Sequence, residues 1–195
     1  MNIDKKGKVK EGNLLLRFWN FLKEDSWQSM VVSLILAFVI IKFVFFPLLS
    51  FFTGSALPLV IVESCSMHHS RSLSTILDDP IYDEFNLDSS YASKFPFKNG
   101  LEKGDIILVI NAKNAKIGDV IIFNAGQMYP IIHRVVALDG TVTTKGDNNN
   151  GLLPVERNVS KDRLVGKAAL RIPYLGWVKL IFYEPFRDKS SRGLC

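Results

Sequence analysis

From Met30 to Phe52 the chain reads MVVSLILAFVIIKFVFFPLLSFF, 23 residues with a single charge at Lys42. A helix needs about 20 apolar residues to cross a bilayer core, so this stretch constrains the fold more than any other. A cleavable signal peptide has a shorter apolar region, roughly 7–15 residues, before a small-residue cleavage site. Gly54-Ser55-Ala56 resembles such a site only faintly. A buried core helix would alternate apolar and polar faces, and this stretch has no polar face. The expectation is an uncleaved transmembrane anchor over residues 27–50. Lys42 would snorkel towards the far headgroups, and Pro47 would end or kink the helix.

Flanking charge orients such a span. Lys5, Lys6, Lys8, Lys10, Arg17 and Lys23 precede it, and no Lys or Arg lies between Lys42 and Ser70. The positive-inside rule then places residues 1–26 in the cytoplasm and 51–195 outside, on a single-pass protein of the cell membrane. Leu14–Asp25, LLLRFWNFLKED, would either lie along the inner interface or extend the anchor helix.

Composition removes other classes. With 48% hydrophobic and 22% charged residues the chain has too much apolar surface for a disordered protein. A net charge of +5 without a basic patch argues against nucleic acid as a partner. Two cysteines cannot build a disulfide scaffold or a four-thiolate zinc site, and no pairing of Cys65 with Cys195 follows from the sequence.

Beyond the anchor the pattern is that of short strands. Leu57–Glu63, Asp105–Asn111, Asp119–Asn124, Ile131–Leu138 and Thr141–Lys145 are β-branched runs bounded by Gly, Asn, Asp or Pro. Asp139-Gly140 is a hairpin signal. The extracytoplasmic part is therefore expected to be mainly β and antiparallel. Residues 70–100 interrupt it as a polar and aromatic insertion with room for one short helix, and no role is assigned to them. Arg171–Phe186 is expected to form a closing strand plus an aromatic patch, resting on lipid or packed as ordinary core.

Three elements carry possible chemistry. Ser64-Cys65-Ser66-Met67 follows directly on the first strand, where a hydroxyl can be presented to a substrate. A serine needs a nearby base to act as a nucleophile. His68 and His69 lie too close in sequence to serve Ser66, which leaves His133 within IIHRVV. A strand histidine is commonly a core residue. A turn such as Lys145-Gly146-Asp147-Asn148-Asn149 commonly does no more than satisfy backbone donors.

In order and placement, however, the three elements resemble the type I signal peptidases, membrane-anchored serine proteases with Ser-x-Ser-Met, a base-bearing strand and a Gly-Asp-Asn turn. KGDIILV, KIGDVIIF and IPYLGWVKL also look like family segments. His133 before Arg134-Val135 resembles the Ser–His branch of archaeal and endoplasmic-reticulum enzymes, not the Ser–Lys branch. The resemblance implies a signal-peptidase-like antiparallel β domain that cleaves signal peptides from exported preproteins. Ser66 would be the nucleophile and His133 the general base. Asp147 would hold the His133 tautomer or shape the turn beside it, and Ser64 would complete the oxyanion hole. The resemblance implies neither metal nor organic cofactor. Preproteins and the lipid bilayer would be the partners, and the need for accessory subunits is left open.

The chain departs from that pattern in two places. His68 follows Met67 where a proline-containing stretch is frequent, and the long insertion comes directly after it. The branch usually has a second acid six positions after the turn aspartate, where Leu153 stands, so Glu156 is the alternative third member. Two rival readings remain. One is a tethered β module without catalysis, and the other is a related regulatory serine protease, against which the anchor and His133 both speak.

Overall fold

The structure, a computed structural model, describes residues 13–195. Lys5, Lys6, Lys8 and Lys10 of the expected basic segment lie outside the described residues. The chain divides into two compact units, one ending at Leu49 and one running from Ser50 to Cys195.

In the first unit, α1 spans Leu14–Leu22. Helix α2 spans Trp27–Ile40 and starts at Ser26, whose hydroxyl accepts the Ser29 N–H at 3.2 Å, the usual way to satisfy a free donor at a helix start. It runs on through a π turn at Ile41–Phe45 into α3, Phe46–Thr53, making one apolar helix of 27 residues, Trp27–Thr53. At 1.5 Å per residue that is about 40 Å, long enough to cross a bilayer. Of the two outcomes expected at Pro47, an end or a kink, the helix does not end there but continues to Thr53. Proline has no N–H and its ring crowds the carbonyl four residues back, here Phe43. The wider turn directly before Pro47 is where that crowding is relieved.

The second unit is built on a six-stranded antiparallel sheet. Its strands are β1 Leu59–Ile61, β2 Ile106–Ile110, β3 Val120–Phe123, β4 Ile131–Asp139, β5 Thr141–Lys145 and β6 Leu164–Ile172. Their spatial order is β1-β2-β6-β3-β4-β5, with every neighbouring pair antiparallel. Five of the strands coincide with the β-branched runs: β1, β2 and β3 are shorter by one or two residues at each end, β5 matches its run, and β4 extends one residue further. The sixth, β6, lies mostly before the expected closing strand, since Arg171–Phe186 contributes only Arg171 and Ile172 to the sheet and then turns into α5, Trp177–Tyr183. LVGKAALRI has Gly, Lys and two Ala at its centre, residues of low strand propensity, and it owes its extended state to β2 and β3 on either side.

One hydrophobic core joins Val62, Met67, Leu101, Ile107, Val109, Val120 and Ile122. On the other side Ile121, Phe123, Val135, Val142 and Val159 pack together. The 70–100 insertion is ordered, with α4 at Leu73–Leu77 and 3-10 turns at Pro80–Phe85 and Ser89–Tyr91. Its Leu73, Ile76, Leu77, Tyr82, Leu87 and Phe95 form a third cluster closed by Val136 of β4. The insertion therefore acts as a cap on β4, the strand that carries His133 and Arg134.

Candidate active site

Just past β1 the Val62 N–H donates to the Asp105 carbonyl at 2.9 Å, and the next five residues make a tight turn. Met67 is fully buried in the core and the Leu101 N–H donates to its carbonyl at 2.8 Å, so Ser66 is fixed at the rim of the core with its side chain half-exposed. The Ser64 and Ser66 hydroxyls are 3.2 Å apart.

A second turn meets this one. The Asn148 N–H donates to the Ser66 carbonyl at 2.8 Å, and the Asn148 side-chain amide donates to the Cys65 carbonyl at 3.0 Å. Lys145, buried at the end of β5, holds the turn from behind by donating to the carbonyls of Gly146 and Asn149 at 3.1 and 2.7 Å. Burial pushes the Lys145 ammonium below its ordinary range, against the pull of Asp147 and Glu156.

His133 stands on β4 opposite Ile121 of β3 and is 3% exposed. Its Nδ1 is in short hydrogen-bond contact with Glu156 Oε1, which also accepts the Gly146 N–H at 3.1 Å. The other carboxylate oxygen of Glu156 accepts the Leu153 N–H. His133 Nε2 faces Gly146 so closely that a Cβ there would lie 2.8 Å from it and 2.6 Å from the Asn149 amide nitrogen. Only glycine allows that approach. Ser66 and His133 therefore lie against neighbouring corners of one turn, at Asn148 and Gly146. Among the described residues no hydrogen bond joins the two directly.

Asp147 has different neighbours. Arg134 donates to it from Nε at 3.0 and 3.1 Å and from Nη2 at 2.7 Å, and His69 Nε2 lies 2.7 Å from Oδ2. Burial alone would raise the Asp147 carboxyl, but the Arg134 guanidinium and His69 outweigh it and hold the group below the usual carboxylate range. Arg134, itself fully buried, also donates to the carbonyls of Pro96, Phe97 and Gly118, which fastens the insertion to the site. The residue expected to hold His133 thus holds Arg134 and His69, and the alternative, Glu156, meets the imidazole.

Sequence reasoning gave little weight to Glu156 because of its spacing. The available signal was local: Pro154 opens a 3-10 turn, Pro154–Glu156, and an acid at the third position of such a turn bends back to the N–H before it. Two further neighbours, His69 and the Cys65–Cys195 disulfide, carried no sequence signal.

The site thus sets a buried imidazole, one nitrogen closed by a carboxylate and the other close to Gly146, beside the turn that holds the half-exposed Ser66. No protein-family model matches the chain. It is 32% identical over 96 residues to the signal peptidase complex catalytic subunit sec11 of Dictyostelium discoideum. That match covers 42% of this chain and 53% of the relative, so the chain spans about half the length of the curated protein it matches. At that identity the chain is a homologue of this signal peptidase complex catalytic subunit.

Proposed function

We propose that the protein is a membrane-bound serine endopeptidase that removes signal peptides from preproteins. The observation that carries this reading is the orientation of His133. Its Nδ1 is engaged by Glu156, so a neutral ring directs the Nε2 lone pair towards the turn that pins Ser66. Catalytic hydrogen bonds are often long without substrate and tighten in the complex, so the absence of a direct Ser66–His133 bond is compatible with the role.

In this reading Ser66 Oγ attacks the scissile carbonyl while His133 Nε2 takes its proton. The imidazolium then returns that proton to the leaving amine. Glu156 fixes the tautomer and stabilises the imidazolium. The Ser66 N–H and the Ser64 hydroxyl donate to the developing oxyanion. Asp147, bound to Arg134 and His69, keeps the Gly146–Asn149 turn in place. Residues 27–50 anchor the chain with its N-terminus in the cytoplasm and residues 51–195 on the far side, where exported preproteins emerge. Accessory membrane subunits would be partners of the kind implied by the relative, which is a subunit of a complex.

The test is cleavage of a preprotein by the full chain in detergent or vesicles. Ser66→Ala and His133→Ala each lower the rate by roughly 10⁴-fold or more, because members of such a unit act together. His133→Lys is as inactive as His133→Ala, since an ammonium beside Glu156 keeps its proton. Normal processing by Ser66→Ala would overturn the assignment and favour a tethered module without catalysis.

A further inference from the structure

Cys65 and Cys195 are joined by a disulfide across 130 positions of sequence, and Cys65 directly precedes Ser66. The segment it fastens is held in other ways too. Buried Lys103 reaches Glu184 at 2.7 Å and the Ser191 carbonyl at 2.7 Å, and Glu184 accepts the Gly193 N–H at 2.8 Å. Arg187 donates to the Glu63 carbonyl at 2.9 Å and pairs with its carboxylate. With the disulfide open, these contacts would keep Cys195 beside Cys65 at high effective concentration.

Two more donors stand at the same place. His68 Nδ1 lies 3.0 Å from both carboxylate oxygens of Glu102, and ligand atoms of His68, Glu102 and Cys195 lie within 4.8 Å of one another. Two oxygen or nitrogen ligands on one tetrahedral zinc are about 3.3 Å apart and two thiolates about 3.8 Å, given bonds near 2.0–2.3 Å. The His68–Glu102 pair is therefore already spaced as two zinc ligands are. Opening the disulfide supplies two thiols, the ligand type zinc prefers. Cys195 is exposed and the others are half-exposed, so both a reductant and a metal ion can reach the cluster.

We propose that Cys65, Cys195, His68 and Glu102 form a zinc site when the disulfide is reduced, so that one place in the fold is fastened covalently in oxidising surroundings and by metal in reducing ones. A dithiol passes two electrons to the disulfide and becomes a disulfide itself, and its two protons go to the freed sulfurs. Zn²⁺ then displaces both thiol protons and binds Glu102 and His68 Nδ1, the ring proton moving to Nε2.

The experiment uses the full chain in detergent micelles, oxidised or reduced with a phosphine, which leaves no added thiol to compete for metal. Zinc affinity is read by competition with a chromogenic chelator, and Co²⁺ serves as the spectroscopic probe. Reduced protein should bind one equivalent of Zn²⁺ and give, with Co²⁺, tetrahedral d–d bands and a sulfur-to-cobalt charge-transfer band. Oxidised protein should bind none. His68→Ala and Glu102→Gln in the reduced form should lose at least about 100-fold in affinity. Equal binding by oxidised and reduced protein, no binding by reduced protein, or wild-type affinity in both variants would each overturn the proposal. The comparison of oxidised with reduced wild type needs no mutation, so it stands even if a variant folds poorly.

Discussion

Two imidazole–carboxylate pairs meet the Gly146–Asn149 turn, and they are built for opposite ends. In His133–Glu156 only Nδ1 is engaged by an acceptor, and among the described residues Nε2, close to Gly146, has no hydrogen-bond partner. In His69–Asp147 both ring nitrogens face acceptors, Nδ1 the Lys98 carbonyl at 3.0 Å and Nε2 the Asp147 carboxylate at 2.7 Å. With both ring nitrogens facing acceptors, His69 has neither of them turned towards Ser66. The Asp147 carboxylate is further committed to Arg134. A histidine beside an acid near a serine is thus not by itself a base. What matters is whether one nitrogen is left free.

The contrast can be broken from either pair. The largest effect is expected from Glu156→Gln, which can donate to Nδ1 and so favours the wrong tautomer of His133. Preprotein cleavage should fall by about 10⁴-fold while the thermal midpoint moves little, as kinetics beside a melting curve would show. If the activity loss instead followed a loss of fold, Glu156 would be a structural residue and the role proposed for it would fail.

Arg134→Met reverses the pattern. It leaves Asp147 buried with only His69 opposite, and removing one member of a buried ion pair costs about 3–5 kcal/mol of stability. Denaturant unfolding should show that loss, and the 70–100 insertion should exchange its amide hydrogens faster, because Arg134 also binds Pro96 and Phe97. The smallest effect is in pH dependence. Asp147 is held below its unfolded value, near 3.9, by Arg134 and His69. A lowered carboxyl contributes stability above the unfolded pKa and loses it as pH falls through the folded one. Wild-type stability should therefore decline below about pH 4. Asp147→Asn should be less stable at neutral pH but decline less steeply in that acid range.

How far the sequence reached depended on the range of the interactions involved. Local patterns were readable: the apolar run, the β-branched strands and the Gly-punctuated turns that open them. Gly118 illustrates why, with φ at +93° and so little space that a Cβ would come within 2.1 Å of the Phe95 ring. Strand β6 was mostly missed because Gly166, Lys167, Ala168 and Ala169 do not favour extension on their own. The strand exists because β2 and β3 leave a place between them. The insertion looked unpatterned because its cluster is completed by Val136, 36 residues beyond its end in sequence.

The sequence by itself determined that one helix of this chain is long and apolar enough to cross a membrane, that the rest is built on antiparallel strands, and that Ser66 and His133 lie at a strand exit and in a strand interior. These follow from hydropathy, side-chain alternation and turn chemistry, all of which act over a few residues. Only the tertiary structure decided which acid meets which histidine, and that Cys65 lies within bonding distance of Cys195. Asp147 and Glu156 are nine residues apart and chemically alike. The path of the 146–156 loop places one against a guanidinium and the other against an imidazole, and no local preference distinguishes the two outcomes.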